Sequence, residues 1–158
     1  MAFSTAVCDA GGTKLDACKL LSATDVSGLL GSKITSRPVK TSAGGPHAGT
    51  MCSFTDGHLN GTFMLLVGRL QYSDAAKEVA WQKHMALHNT PPGLNKPTFD
   101  NISGLGDAAY LSKTGSYFQV HVLSHGNSIV VNYHTRPSAK AIAEAKKIAR
   151  AALDNIHH

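Results

Sequence analysis

The sequence lacks most of the features that would narrow its function. It contains no uninterrupted apolar run of about 18 residues, so we predict no membrane-spanning helix. Only 10 of its 158 residues are acidic, and neither a Gly-x-Ser-x-Gly motif nor a Walker-type phosphate loop occurs. Gly104-Leu105-Gly106 lacks the third glycine and the following helix that a dinucleotide site needs, so a turn before a strand explains it better. We therefore predict a protein that is not an enzyme and carries no required cofactor.

Basic charge is present but not concentrated. The formal net charge is +5, and a single predicted helix holds the only close group of cations together with acidic neighbours. That group consists of Lys140, Lys146, Lys147 and Arg150, beside Glu144 and Asp154. Nucleic-acid recognition requires a denser basic patch, so a solvated helix face is the better interpretation and a nucleic-acid partner is not expected.

Three cysteines, Cys8, Cys18 and Cys52, occur without the spacing of a tight metal site. A bridge between Cys18 and Cys52 would close a loop of about 35 residues and stabilise the fold by about 3 to 4 kcal/mol in the chain-entropy model. Cys8 would then be a free thiol, an intermolecular link, or the partner that displaces one of the other two. The alternative is a cytosolic protein with three buried, reduced thiols.

The two ends of the sequence carry little pattern. We predict a flexible arm over residues 1–12 and a single domain over residues 13–156, a normal size for one domain. The first five residues have neither the basic nor the apolar stretch of a signal peptide. We interpret His157 and His158 as the remnant of a tag and assign them no chemistry.

Between these ends, short helices alternate with groups of strands. The patterns predict strands over residues 34–40, 51–55, 62–70, 108–113, 117–124 and 128–135. They predict helices from Lys14, from a capping box at Ser22–Asp25 to Gly31, from Ser73 or Asp74 to His88, and after Ser138. The last helix is the most clearly amphipathic, since apolar residues recur at steps of three and four from Ile142 to Ile156.

These elements predict an α+β fold. Each half of the chain offers about three strands and then a helix, a repeat of pattern rather than of sequence. Strands joined by short turns favour a mainly antiparallel sheet of about six strands in two β-β-β-α halves. The helices are expected to pack on one face of that sheet.

The hairpin between residues 117 and 135 is the most informative local pattern. If Gly126 and Asn127 form its two-residue turn, Phe118, Val120, Val122, Val131 and Tyr133 share an apolar face. The other face then places His121 opposite Asn132 and Gln119 opposite His134. Two imidazoles and two amides together could bind a polar ligand or a Cu²⁺ or Zn²⁺ ion. The alternative is the wet face of an ordinary antiparallel sheet.

The middle helix carries a second histidine pair. His84 and His88 are spaced i, i+4 and share a face with Trp81, and Met85 lies at its edge. In one orientation Trp81 is exposed and anchors a partner surface or forms the wall of a ligand cleft. In the other, Trp81 and Met85 face the sheet and the histidines flank that contact. No third metal ligand accompanies the pair, so its use as a zinc site rests on two residues alone.

Three stretches resemble a known group of proteins. They are Cys18–Gly31, Cys52-Ser53-Phe54 and Gly104–Tyr110, and they are similar to small exported bacterial domains, often lipoproteins of unknown function. The resemblance implies a disulfide between Cys18 and Cys52, a fold similar to the Mog1/PsbP class, and no catalytic residues. It places the protein in the periplasm or outside the cell. The residues before Cys8 make a poor lipobox.

The sequence thus leads to two main hypotheses, and a small hydrolase-like enzyme is a further alternative. In the first, a periplasmic or secreted, non-enzymatic domain binds a partner protein or a small ligand, through Gln119, His121, Asn132 and His134 or through the helix of Trp81. In the second, the histidines bind Cu²⁺ or Zn²⁺, with His84 and His88 as the metal pair.

Overall fold

The computed structural model describes residues 15–40, 49–57 and 63–156. They form one seven-stranded, wholly antiparallel sheet with four helices, which confirms the predicted α+β class. The elements are α1 (Ala17–Leu20), α2 (Ala23–Leu30), β1 (Thr35–Val39), β2 (Thr50–Thr55), β3 (Phe63–Arg69), α3 (Ala75–His88), β4 (Thr98–Ile102), β5 (Ala108–Lys113), β6 (Phe118–Ser124), β7 (Asn127–Tyr133) and α4 (Ala139–Ile156). The predicted arm over 1–12 with Cys8, and His157 and His158, lie outside the described residues.

Two antiparallel meanders make up the sheet, whose strand order is β1-β2-β3-β7-β6-β5-β4. The last strands of the two meanders, β3 and β7, pair with each other at the centre, from Phe63 opposite Tyr133 to Arg69 opposite Asn127. The two halves expected from the pattern are therefore present, but the second contains four strands instead of three. The missed strand is β4, whose Asp100 and Asn101 are exposed at the edge of the sheet and weaken the sequence signal for a strand.

One face of the sheet forms the hydrophobic core. Apolar side chains alternate along the central strands and point to this face, where they meet α1, α2 and α4. The aromatic rings of Phe54, Phe63, Tyr133 and Phe118 stack in a row across four strands, with centroid distances of 4.9, 5.3 and 5.1 Å. We call the opposite face of the sheet the outer face.

A disulfide joins Cys18 in α1 to Cys52 in β2, with a Cα–Cα distance of 5.0 Å. The predicted bridge is therefore present, and it fastens the first helix to the core face of the sheet. The hydroxyl of Thr50 adds two bonds at the same place, since it accepts from the Ala17 amide at 2.7 Å and donates to the Leu15 carbonyl at 2.8 Å.

The sequence signals for both ends of α2 are borne out. The Ser22 hydroxyl and the Asp25 carboxylate form the reciprocal capping box of α2, and Gly31 ends that helix with a φ of 68°. The first helix is shorter than expected: Asp16 caps it and it spans a single turn, instead of starting at Lys14. Prediction of so short a helix fails because the disulfide and the sheet contacts hold it, not its own propensity.

Gly104 and Gly106 belong to a turn that leads into β5, as the sequence suggested. Gly106 has a φ of 65°, and a Cβ at this position would lie 2.6 Å from the Leu123 carbonyl oxygen. The side chain of Asp107 accepts a hydrogen bond from the His125 amide at 2.8 Å. The Gly-Leu-Gly-Asp motif therefore has a structural role: it ties the end of the β6–β7 hairpin to the neighbouring strand.

The register of the β6–β7 hairpin differs from the predicted one by two residues. Its turn is His125-Gly126, both with positive φ, rather than Gly126-Asn127. As a result Gln119 lies opposite Asn132, and His121 lies opposite Val130 instead of Asn132. A shift of two keeps every side chain on its predicted face, so Val120 and Val122 still point to the core. His134 lies beyond the end of β7 and pairs with nothing in the hairpin.

The helices lie on both faces, not on one as expected. Helices α1, α2 and α4 cover the core face, while α3 crosses the outer face near β5, where Gln82 contacts Tyr110. None of the helices among the described residues has the length and hydropathy needed to cross a membrane. The outer face is only partly covered by α3, and this arrangement creates the site described next.

Candidate functional site

A groove with a volume of about 530 Å³ lies on the outer face, between α3 and the strands β2, β3 and β7. Its floor consists of side chains that alternate with core residues along these strands. In the register of the sheet, Met51 lies beside Leu66, Leu66 beside Val130, and Gly68 beside Ser128. The floor is therefore mainly apolar and only partly buried, which is typical of a small-molecule pocket.

The helix α3 supplies the wall of the groove through Glu78, Trp81 and Gln82. Trp81 is 37% exposed and packs edge-on against Tyr72, at a ring distance of 6.1 Å. The indole lines a cleft, as the first predicted orientation has it, but Glu78 rather than an apolar residue is the buried residue of this helix. Leu87 of the same helix is 40% exposed and is therefore not buried against the sheet.

A chain of hydrogen bonds fastens this wall to the sheet. The Glu78 carboxylate, only 2% exposed, accepts from the Tyr72 amide at 2.7 Å and from the Gln82 amide nitrogen at 2.8 Å. Gln82 in turn accepts a hydrogen bond from the Tyr110 hydroxyl at 2.9 Å. Burial and, to a smaller extent, the charge of Glu78 raise the pKa of the Tyr110 hydroxyl above its ordinary value. The charge of Glu78 therefore acts on the Tyr110 hydroxyl, to which Gln82 connects it.

His121 lies beside the groove on the same face. Its ring stacks on Tyr110 with a centroid distance of 4.4 Å, and its Nε2 donates to the Gln119 side-chain oxygen at 3.1 Å. Burial lowers the pKa of His121 to about 4, so the imidazole is neutral at neutral pH. With the proton on Nε2, its Nδ1 is an acceptor, and this atom and Oδ1 of Asn132 are buried without hydrogen-bond partners.

The structure brings only part of the predicted site together. Gln119, His121 and Asn132 share the outer face on neighbouring strands, and Val130, the partner of His121, lines the groove beside Trp81. Gln119 also lines a second, more polar cavity of about 650 Å³, formed by the end of α3 and the β5–β6 turn. His134 is exposed and separate from both.

His84 and His88 do share one face of α3, as predicted, with their rings 6.0 Å apart and nearly parallel. Both are exposed and lie along a shallow depression next to the proline-rich turn. Across residues 15–40, 49–57 and 63–156, no group of three or more His, Cys, Asp or Glu side chains is arranged to hold a metal ion. Metal binding by this pair stays a prediction.

Sequence reasoning missed the polar side chains of the wall and most of the floor. The available signal for the wall was the i, i+4 spacing of Glu78 and Gln82, which places an acid and an amide on the same side of the helix. The signal for the floor was the alternation in β2 and β3, where Met51 and Leu66 fall between core residues. Neither pattern shows that the wall and the floor face each other, because they belong to elements that are distant in sequence.

Together, the fold and the groove define a disulfide-containing α+β domain with a concave, largely apolar site on the outer face of its sheet. Comparison of the chain with models of protein families, with curated proteins and with solved structures gives no match.

Proposed function

We propose that this protein is a non-enzymatic, exported binding domain that takes a small amphipathic ligand into the groove between α3 and the outer face. The observation that carries the proposal is the groove itself. It combines an apolar floor, an indole wall and the few polar groups of α3 in a volume within the range of small-molecule sites.

Export is the second part of the proposal, and the Cys18–Cys52 disulfide supports it. Structural disulfides persist in oxidising compartments and are rare in the reducing cytosol. We place the protein in the periplasm or outside the cell, as the likeness to exported bacterial domains with a Mog1/PsbP-type fold implies.

The absence of assembled catalytic groups favours binding over catalysis. Among the residues that line the described part of the groove, Glu78 is the single acid, and no histidine or cysteine lines it. Hydrolytic or proton-transfer chemistry would need at least a second converging group.

The test uses N-phenyl-1-naphthylamine, an uncharged dye that fluoresces when it enters an apolar site. We expect saturable binding to the protein and a parallel change in the fluorescence of Trp81, the single tryptophan of the chain. Leu66→Lys places a charged chain on the groove floor and should weaken binding by about tenfold or more. Leu94→Lys makes the same change at a 64% exposed position outside the groove and should have no effect. Non-saturable binding, or equal affinities in the two variants, would refute the proposal.

A further inference from the structure

Glu78 is the only charged residue that is buried among the residues the structure describes. Buried carboxylates nearly always have a cationic partner, because desolvation of an unpaired charge is costly. Within the described ranges Glu78 forms no ion pair, in contrast to Asp100 at the sheet edge, which pairs with Lys113. The buried carboxylate at the wall of the groove thus has no ion-pair partner among the residues that the structure describes.

The hydrogen bonds of Glu78 do not by themselves explain why a charged residue occupies this buried position. Both partners, the Tyr72 amide and the Gln82 side chain, are neutral donors, and a neutral acceptor would satisfy Tyr72 equally well. Each carboxylate oxygen has a second lone pair, so the group can accept further hydrogen bonds on its groove side. The carboxylate of Glu78 is therefore available to bind a cationic group that enters the groove.

We propose that the groove selects ligands that carry a primary ammonium group on an apolar chain, with the ammonium bound by Glu78 and the chain lying on Leu66 and Val130. This inference rests on the proposed function and adds the chemical class of the ligand. The charge complementarity is specific, since an ammonium offers three donors to a carboxylate that lines the groove and has acceptor capacity left.

The energetic argument depends on where the charges lie. Folding has already removed Glu78 from water, so a bound ammonium pays only for its own desolvation and gains an attraction strengthened by the low local dielectric. Lys40 and Arg69 also line the groove, but both are exposed. Water and salt screen exposed charges, so these cations oppose an ammonium beside Glu78 only weakly.

The experiment compares heptylamine with 1-heptanol, which have the same apolar chain, by titration of the Trp81 fluorescence at neutral pH and low salt. We expect the amine to bind about tenfold more tightly. In Glu78→Gln this preference should fall to within about twofold. Asp154→Asn changes the net charge by the same amount at an exposed position of α4, and it should retain the preference. The Glu78 variant also excludes a cation–π contact with Trp81 as the source of selectivity, because it leaves the indole in place.

The outcomes separate the two proposals. Equal affinities for amine and alcohol, or a preference that survives in Glu78→Gln, would overturn the ammonium inference and leave the groove as an apolar site. Failure of both compounds to bind would overturn the proposed function as well. If circular dichroism shows that Glu78→Gln does not fold, heptanoate decides the question on the unaltered protein. The order amine, alcohol, carboxylate supports the inference, and any other order overturns it.

Discussion

The helices α3 and α4 lie on opposite faces of the same sheet and are held there by different interactions. α4 buries five apolar residues against the core face: Ala145, Ile148, Ala149, Ala152 and Leu153. α3 buries a single residue, and that residue is the charged Glu78. Two of its contacts with the sheet are directional: the hydrogen bond between Gln82 and Tyr110, and the position of the Lys83 ammonium 5.1 Å from the Tyr110 ring.

This difference explains why the groove lies on the outer face. Apolar packing is non-directional and favours complete coverage, because every area removed from water adds to stability. A helix held by a few hydrogen bonds needs contact only at those points, so α3 leaves Leu66 and Val130 partly uncovered. The core face stabilises the fold, and the outer face keeps free the surface that we propose for binding.

The largest expected effect comes from a matched truncation on the two helices. Ile148 is fully buried, and Ile148→Ala should lower the free energy of unfolding by about 3 kcal/mol, from lost burial and the cavity left behind. Leu87 on α3 is 40% exposed, and Leu87→Ala should cost about 0.5 kcal/mol or less. Urea unfolding of both variants measures the contrast. Similar losses of unfolding free energy in the two variants would show that α3 is packed as tightly as α4. That result would contradict the contrast between the two helices.

The second expected effect concerns the protonation of His121, whose ring stacks on Tyr110 on the outer face. The pKa of His121 is about 4 in the folded protein and near the ordinary value in the unfolded chain. As the pH falls from about 6.5 towards 4, the unfolded chain gains a proton at His121 that the folded protein does not bind, so stability is full at higher pH and decreases in this window. Between pH 7 and pH 5 the loss should be about 2 kcal/mol.

The control for this effect is His121→Phe, which keeps a ring on Tyr110 and cannot titrate. Unfolding in urea at pH 7 and pH 5 should show a smaller pH dependence for the variant by the same amount. An unchanged pH dependence would mean that the imidazole is as well hydrated as an exposed histidine, and that this part of the outer face is open to water.

The core face could be predicted from the sequence because its signal is local. Strand β6 alternates apolar and polar residues from Phe118 to Val122, and the spacing from Ala145 to Ala152 marks the buried side of α4. A two-residue error in the β6–β7 register did not matter for the core, since it preserves the face of every residue. It did matter for the site, because it changed the partners of His121 and Gln119.

The outer face could not be predicted in the same way. The sequence of α3 is only weakly amphipathic, so it does not indicate which side of the helix faces the sheet. The buried residue of this helix is a glutamate, a residue type that is nearly always exposed. The sequence allowed the prediction that Trp81 lines a cleft, because a large aromatic residue on an otherwise polar helix is by itself a sign of a functional surface. Glu78 became visible only once the structure placed it next to strands that lie elsewhere in the sequence.

The smallest expected effect tests whether hydrogen bonds do hold α3. Tyr110 is 2% exposed. Tyr110→Phe keeps the buried ring but removes the hydroxyl that donates a hydrogen bond to the side-chain oxygen of Gln82. The free energy of unfolding should fall by about 1 kcal/mol, which is typical of one buried hydrogen bond. Tyr117→Phe removes a hydroxyl from a 40% exposed ring and should have no measurable effect. If the two variants are equally stable, the hydrogen bond to Gln82 contributes nothing to the free energy of unfolding. The chain of hydrogen bonds that begins at Glu78 is then not what holds α3 on the sheet.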